Sequence, residues 1–155
     1  MKTAAVIPVK TFSNAKTRLQ LPVEKIEELC KIMLEEIMQG ISISTKIEKI
    51  IIVTKEKKAI EIAKKFNAVV IIDEKEEGVN QAVSLAEEYL LENNFVASMV
   101  FPQDIPGIKT QDIDFMLNYK TYPNFAIIVP SRKFDGTNAL DRMPVYFLEP
   151  HYEND

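Results

Sequence analysis

Lys10, Lys16 and Arg18 lie close together on the segment Ile7-Pro8-Val9-Lys10-Thr11-Phe12-Ser13-Asn14-Ala15-Lys16-Thr17-Arg18-Leu19. The first acidic residue of the chain is Glu24, although the whole sequence carries 23 Asp plus Glu against 19 Lys plus Arg. An acidic protein that keeps its first apolar run and the turn after it free of negative charge is expected to hold an anion there. Phosphate is the foremost choice, because Lys and Arg give its oxygens charge-assisted hydrogen bonds.

Further chemistry is expected at the other strand ends. In an open α/β sheet, ligands settle beyond the carboxyl ends of the strands, near the point where strand order reverses. Lys10, Asp73, Asp104 and Ser131 each follow a strand-like run. Together they offer cations, carboxylates and a hydroxyl, a mixture suited to a phosphorylated ligand bridged to a metal. For Asp73 alone, a polar residue that merely ends a strand is the better explanation. Asp104 is stronger, because Met99-Val100-Phe101-Pro102-Gln103-Asp104-Ile105-Pro106 sets it at a strand end between prolines. Mg²⁺ is commonly held by one or two carboxylates completed by phosphates and water. A helix N-cap is the plainer alternative for Asp104, but Pro106 and Gly107 intervene before the next helical run.

Gly78-Val79-Asn80-Gln81-Ala82 opens a helix, where Gly78 would let a ligand approach the backbone and Asn80 could read a base edge or a ribose hydroxyl. A turn followed by a helix explains the same residues. Gly136, Thr137 and Asn138 in Asp135-Gly136-Thr137-Asn138-Ala139-Leu140 could cradle a small carboxylate or phosphate. Taken alone, they read equally as an ordinary Asp-Gly turn.

The elements that would position these residues alternate in type. Thr3 to Val9, Lys49 to Thr54, Ala68 to Ile72, Ala97 to Pro102 and Phe125 to Pro130 are short apolar runs of strand length, with Val145 to Leu148 as a candidate sixth. Between them, Val23, Ile26, Cys30, Met33 and Ile37 have helical spacing, with Gly40 as the expected end. Ala59, Ile60, Ala63 and Phe66 mark a second helix. Val79, Ala82, Val83, Ala86, Tyr89 and Leu90 mark a third, and Ile113, Met116 and Leu117 a short fourth. Such alternation predicts a three-layer α/β fold: a mostly parallel, Rossmann-like sheet with helices on both faces.

Bulk properties narrow the class. A chain of 155 residues is expected to form one domain. The net charge of −4 argues against a nucleic-acid partner. No apolar run reaches membrane-spanning length. Neither a signal peptide nor more than one cysteine is present, so the chain reads as cytoplasmic. With Gly40, Gly78, Gly107 and Gly136 the only glycines, there is no Gly-x-Gly-x-x-Gly and no Walker A loop. Cys30 sits on an apolar stripe and His151 is the single histidine, which disfavours a zinc site or a Ser-His-Asp hydrolase. Met and Ile on the helix faces suit a core, or else a homodimer interface.

Four segments in order resemble the 2-phospho-L-lactate guanylyltransferase family of coenzyme F420 biosynthesis. They are Ile7-Pro8-Val9-Lys10 with Ala15-Lys16-Thr17-Arg18-Leu19, then Gly78-Val79-Asn80-Gln81-Ala82, Asp104-Ile105-Pro106, and Gly136-Thr137-Asn138-Ala139-Leu140. The resemblance implies a nucleotidyltransferase of glycosyltransferase-A-like fold. It would join GTP and 2-phospho-L-lactate into lactyl-2-diphospho-5′-guanosine, or use phosphoenolpyruvate as bacterial relatives do. By motif match, Lys10, Lys16 and Arg18 would hold the triphosphate, Asp104 a Mg²⁺, and Gly78 with Asn80 the nucleoside. Lys16, Arg18 and Asp104 would then be the catalytic set. Thr137, with Ser131, Gly136 and Asn138 around it, would contact the phospho-acid.

Asp135 stands where the family commonly has glycine, and Gly107 where leucine is usual. Family members continue with a Gly-x-x-Ser-Phe-like loop and a last strand bearing a second acidic metal ligand. The single domain spanning 1–155 is therefore expected to lack that C-terminal strand and helix. Transfer to another small acceptor (a sugar phosphate or a molybdopterin) and a non-catalytic nucleotide-binding domain are the rival readings.

Overall fold

The computed structural model describes residues 1–119, 124–133 and 136–146. Its central strands are the runs too uniformly apolar to leave one face in water. β1 (Thr3–Pro8), β2 (Lys49–Thr54) and β4 (Ala97–Val100) are buried almost throughout, as expected of strands covered on both sides. β3 (Val69–Ile72), at a sheet edge, is mostly half-buried. α1 (Val23–Ile43), α2 (Lys57–Lys65) and α3 (Val79–Glu92) connect these strands. α4 (Thr110–Asn118) then leads to β5 (Phe125–Pro130) and β6 (Thr137–Met143).

The six strands lie in the order β3-β2-β1-β4-β6-β5. β1 pairs in parallel with β2 and β4, and β2 with β3. β6 is antiparallel to both β4 and β5, so β5 runs with the other four and the sheet is mostly parallel. Successive strand residues alternate between two cores, as a period of two requires. Ala5, Ile7, Ile50, Ile52 and Met99 pack with residues of α1, α2 and α4. Ala4, Val6, Ile51, Val53 and Val100 pack with residues of α3. Three layers result.

The chain moves outward from β1 to β2 to β3, then returns across the sheet to β4. Because crossovers are right-handed, reversing direction moves the connecting helix to the opposite face. This is why, among the described residues, α3 is the one helix on its side, and it places the switch point between β1 and β4.

Three sequence expectations are corrected. Gly40 does not end α1, which runs on to Ile43. A Cβ at Gly40 would stand 2.9 Å from the Ile108 carbonyl oxygen, and Thr110 Oγ1 donates to Gly40 O at 2.7 Å. The glycine thus admits the strand-to-α4 connection against the helix. On α2 the buried apolar residues are Ala59, Ile62 and Ala63, with Ile60 only half-buried; positions three and four apart share a face, and adjacent ones do not.

The sixth strand is Thr137–Met143, not Val145 to Leu148. Val145 and Tyr146 form a turn, while Leu148 lies outside the described residues, as do Asp135 and His151. Among the described residues, no helix is long and apolar enough to cross a membrane.

Candidate active site

The turn leaving β1 and the turn leaving β4 meet at the switch point. Lys16 Nζ lies 2.5 Å from Asp104 Oδ2, with both side chains partly exposed. Lys10 N donates to Gln103 Oε1 at 2.7 Å. Parallel pairing of β1 with β4 carries both turns out of the same sheet end, and the helix after Asp104 begins only at Thr110, capped by Lys109. Asp104 is therefore no helix cap. It is a solvent-accessible carboxylate held beside a cation.

Backbone conformation marks the same place. Among the described residues, four non-glycine residues have positive φ: Lys16 (54°), Asn67 (51°), Glu76 (50°) and Asn94 (59°). Asn67 and Asn94 follow the ends of α2 and α3, where Asn commonly takes the left-handed turn. Lys16 and Glu76 are long charged side chains with no such excuse, and both reach into the turns at the carboxyl ends of the strands. A non-glycine residue kept left-handed at a cost of about 1–3 kcal/mol is held there by its surroundings.

Of the other sequence candidates, Arg18 is exposed in the turn closed by Leu19 N donating to Lys16 O at 2.9 Å. Gly78 precedes α3 with φ 114°, a conformation that calls for glycine, and Asn80 is exposed in the first turn of that helix. Asp73 is buried and accepts from Glu76 N at 3.0 Å, which makes it a turn-former. Ser131, Gly136, Thr137 and Asn138 belong to the β5–β6 hairpin and the start of β6. Ser131 N donates to Gly136 O at 2.7 Å and Asn138 Nδ2 to Pro130 O at 3.3 Å. Because β6 runs antiparallel to β4, with Val100 opposite Leu140, its Thr137–Asn138 start lies toward the sheet end that carries Asp104.

Sequence reasoning missed Glu56, Glu76 and Gln103. Glu56 Oε2 accepts from Phe12 N at 2.9 Å, Glu76 accepts from Thr11 N, and Gln103 Oε1 from Lys10 N. Glu76 lay hidden in the charged run Glu74 to Glu77, which read as solvated loop. No sequence signal separates it from its neighbours.

For a Mg²⁺ ion the donor set fits one mode. Among the described residues there is no group of three or more His, Cys, Asp or Glu side chains that could hold a metal. Asp104 supplies one accessible carboxylate, so phosphate oxygens and water would have to complete the shell.

Cys30, on α1 beneath the site, is 4% exposed. Burial raises its thiol pKa above the ordinary cysteine value, and nearby Lys16 opposes this. The thiol is therefore neutral at physiological pH, as a core residue. The native protein is expected to react with a disulfide reagent at neutral pH roughly a hundredfold more slowly than the urea-unfolded chain. Equal rates, read by thiolate release, would contradict the burial.

An α/β sheet of this order, with paired turns at its switch point, is the nucleotidyltransferase type of fold. A nucleotide-diphospho-sugar transferase from Desulfovibrio desulfuricans superposes with a TM-score of 0.74 at 16% identity, over 96% of this chain and 67% of that one. A cytidylyltransferase from Leptospira borgpetersenii gives 0.66 at 15% identity, over 92% and 60%. Residues 3–149 match the family described as "Guanylyl transferase CofC like", and the chain belongs to that family.

Among curated relatives, the 2-phospho-L-lactate guanylyltransferase of Methanosphaera stadtmanae is 33% identical over 144 residues, 90% of this chain and 60% of that protein. The protein of the same name from Methanobrevibacter smithii is 31% identical over 142 residues, 90% of this chain and 61% of its own length. The phosphoenolpyruvate guanylyltransferase of Conexibacter woesei is 27% identical over 155 residues, 98% and 70%. The chain thus spans some 60% to 70% of the length of these relatives.

Proposed function

We propose that this protein is a guanylyltransferase that joins GTP to 2-phospho-L-lactate, giving lactyl-2-diphospho-5′-guanosine and pyrophosphate. The observation that carries the reading is the 2.5 Å approach of Lys16 to Asp104 across the switch point. A cation and an accessible carboxylate brought together at the switch point support binding of a nucleotide's phosphates there.

In the reaction, an acceptor phosphate oxygen attacks the α-phosphorus of GTP. A new P–O bond forms as the bond to the β-phosphate bridge breaks, and pyrophosphate leaves with that electron pair. The second pKa of a phosphate monoester is about 6, so the acceptor is mostly dianionic near neutral pH and needs no general base. The protein has to align two anions and neutralise the charge on the leaving group. Lys10, Lys16 and Arg18 would bind and orient the triphosphate. Gly78 and Asn80, at the start of α3, would receive the nucleoside, and Thr137 with Ser131, Gly136 and Asn138 would orient the acceptor. Mg²⁺, held by Asp104 and phosphate oxygens, would offset negative charge on the polyphosphate when bound.

Phosphoenolpyruvate is the second acceptor to test, because two of the named relatives are phosphoenolpyruvate guanylyltransferases. Pyrophosphate release should be measured with four nucleoside triphosphates against both phospho-acids and a sugar phosphate. GTP with one of the phospho-acids should dominate. Faster release with CTP, or with the sugar phosphate, would replace this reading. Nucleotide binding with no release from any pair would support a non-catalytic domain.

A further inference from the structure

Three consecutive backbone N–H groups in the turn after β1 are each occupied by a side chain from another segment. Lys10 N donates to Gln103 Oε1 at 2.7 Å, from beyond β4. Thr11 N donates to Glu76 Oε1, from beyond β3. Phe12 N donates to Glu56 Oε2 at 2.9 Å, from beyond β2. Thr11 Oγ1 also donates to Glu76 Oε2 at 3.1 Å, so Glu76 holds Thr11 with both carboxylate oxygens.

Glu76 is itself braced. Its backbone is left-handed at φ 50°, and its N–H donates to the buried carboxylate of Asp73 at 3.0 Å. Lys55 Nζ, just past β2, lies 3.5 Å from Glu76 Oε2. The second brace continues inward, since Glu56 N donates to Thr54 Oγ1 at 3.0 Å and Thr54 Oγ1 to Val9 O at 2.8 Å. A strap therefore runs from β3 across the end of β2 to the turn that carries Lys10, Lys16 and Arg18.

Carboxylates beside a polyphosphate site repel its ligand, so their presence calls for a compensating role. With the amides of residues 10–12 committed to side chains, phosphate contacts fall to the three cations and to later amides of the turn. Those cations act only if the turn is held, because a flexible turn must be ordered at the expense of binding. We propose that Glu76 is a positioning residue for nucleotide binding: it fixes Thr11 so that the turn presents Lys16 opposite Asp104. This rests on the reading that the turn receives a triphosphate.

The test uses the intact chain with Glu76→Ala and Glu76→Gln, since glutamine keeps an acceptor for Thr11 N. In the absence of nucleotide, hydrogen exchange at the Thr11 amide should accelerate at least about tenfold in Glu76→Ala, and Glu76→Gln should restore most of the protection. The Kd for Mg-GTP, and KM where turnover is measurable, should rise about tenfold in Glu76→Ala, with kcat changed much less and glutamine again rescuing.

Unchanged Thr11 exchange overturns the proposal. So does a lower KM in Glu76→Ala, which would make Glu76 a competitor of the phosphates. Wild-type protein that binds no nucleoside triphosphate removes the functional reading and the nucleotide role of Glu76 with it. Wild-type binding that Glu76→Ala leaves unaltered removes only the role of Glu76.

Discussion

Asp104→Asn is expected to slow pyrophosphate release by about a hundredfold or more, and Lys16→Ala or Arg18→Ala by a similar order, without a matching loss of stability. The separation follows from where the Lys16–Asp104 pair sits. Both side chains are partly exposed, at 29% and 41%, and an ion pair in that setting contributes only about 0–1 kcal/mol to folding. In the proposed reaction the same two groups would act far more strongly, Lys16 directly on the triphosphate and Asp104 through a bound Mg²⁺, because a bound triphosphate would exclude water around them. Arg18 has exposed surroundings as well, so its removal leaves no buried partner stranded. Steady-state rates and urea midpoints on the same preparations check the prediction. An unchanged rate in any one variant removes that residue from the mechanism. A midpoint falling in step with the rate would assign the effect to folding.

Arg142→Ala should instead cost stability, by about 3 kcal/mol or more. Arg142 is 1% exposed in β6, and its guanidinium donates to Glu87 Oε1 of α3. Truncation would leave the Glu87 carboxylate, whose side chain is only 21% exposed, without that counter-charge. Replacing both residues together with Met should recover much of the loss, because a well-packed apolar pair often equals a buried ion pair in stability.

The pair also bears on register. Adjacent strand residues point to opposite faces, and a one-residue slip would turn Arg142 away from α3. Equilibrium urea unfolding measures the first effect. If Arg142→Ala changed stability by no more than about 0.5 kcal/mol, as surface substitutions do, the buried-pair account would be wrong.

How much of this was readable in the chain varies by element. β1, β2 and β4 are continuous apolar runs, and burial on both faces leaves that mark whatever the surroundings. β6 left no such mark. Thr-Asn-Ala-Leu-Asp-Arg-Met has two adjacent charges near its end, and both Asp141 and Arg142 are buried. Their burial depends on what lies across the sheet: Met99 opposite Asp141, Ser98 opposite Arg142, and α3 over one face. Gly40 misled for a similar reason. Glycine after an apolar stripe usually ends a helix, but here the deciding contact comes from Ile108, distant in sequence.

The candidate site divides along the same line. Lys10, Lys16, Arg18 and Asp104 could be singled out as candidates because each is a charged residue beside a strand end, and the structure brings the two turns that carry them together. Glu56, Glu76 and Gln103 were not, since a carboxylate or amide that accepts from a backbone N–H resembles any solvated one.

By itself, the amino-acid order determined the alternation of strands and helices, the burial of the inner strands, and a cation-rich first turn without acids. Each depends on periodicity or composition over a few neighbouring residues. Tertiary structure alone decided that the first and fourth strands lie side by side, that an antiparallel strand enters beyond them, and that distant side chains cap the amides of the first turn. Those outcomes come from long-range strand pairing and crossover handedness, which bring together residues that share no local signal.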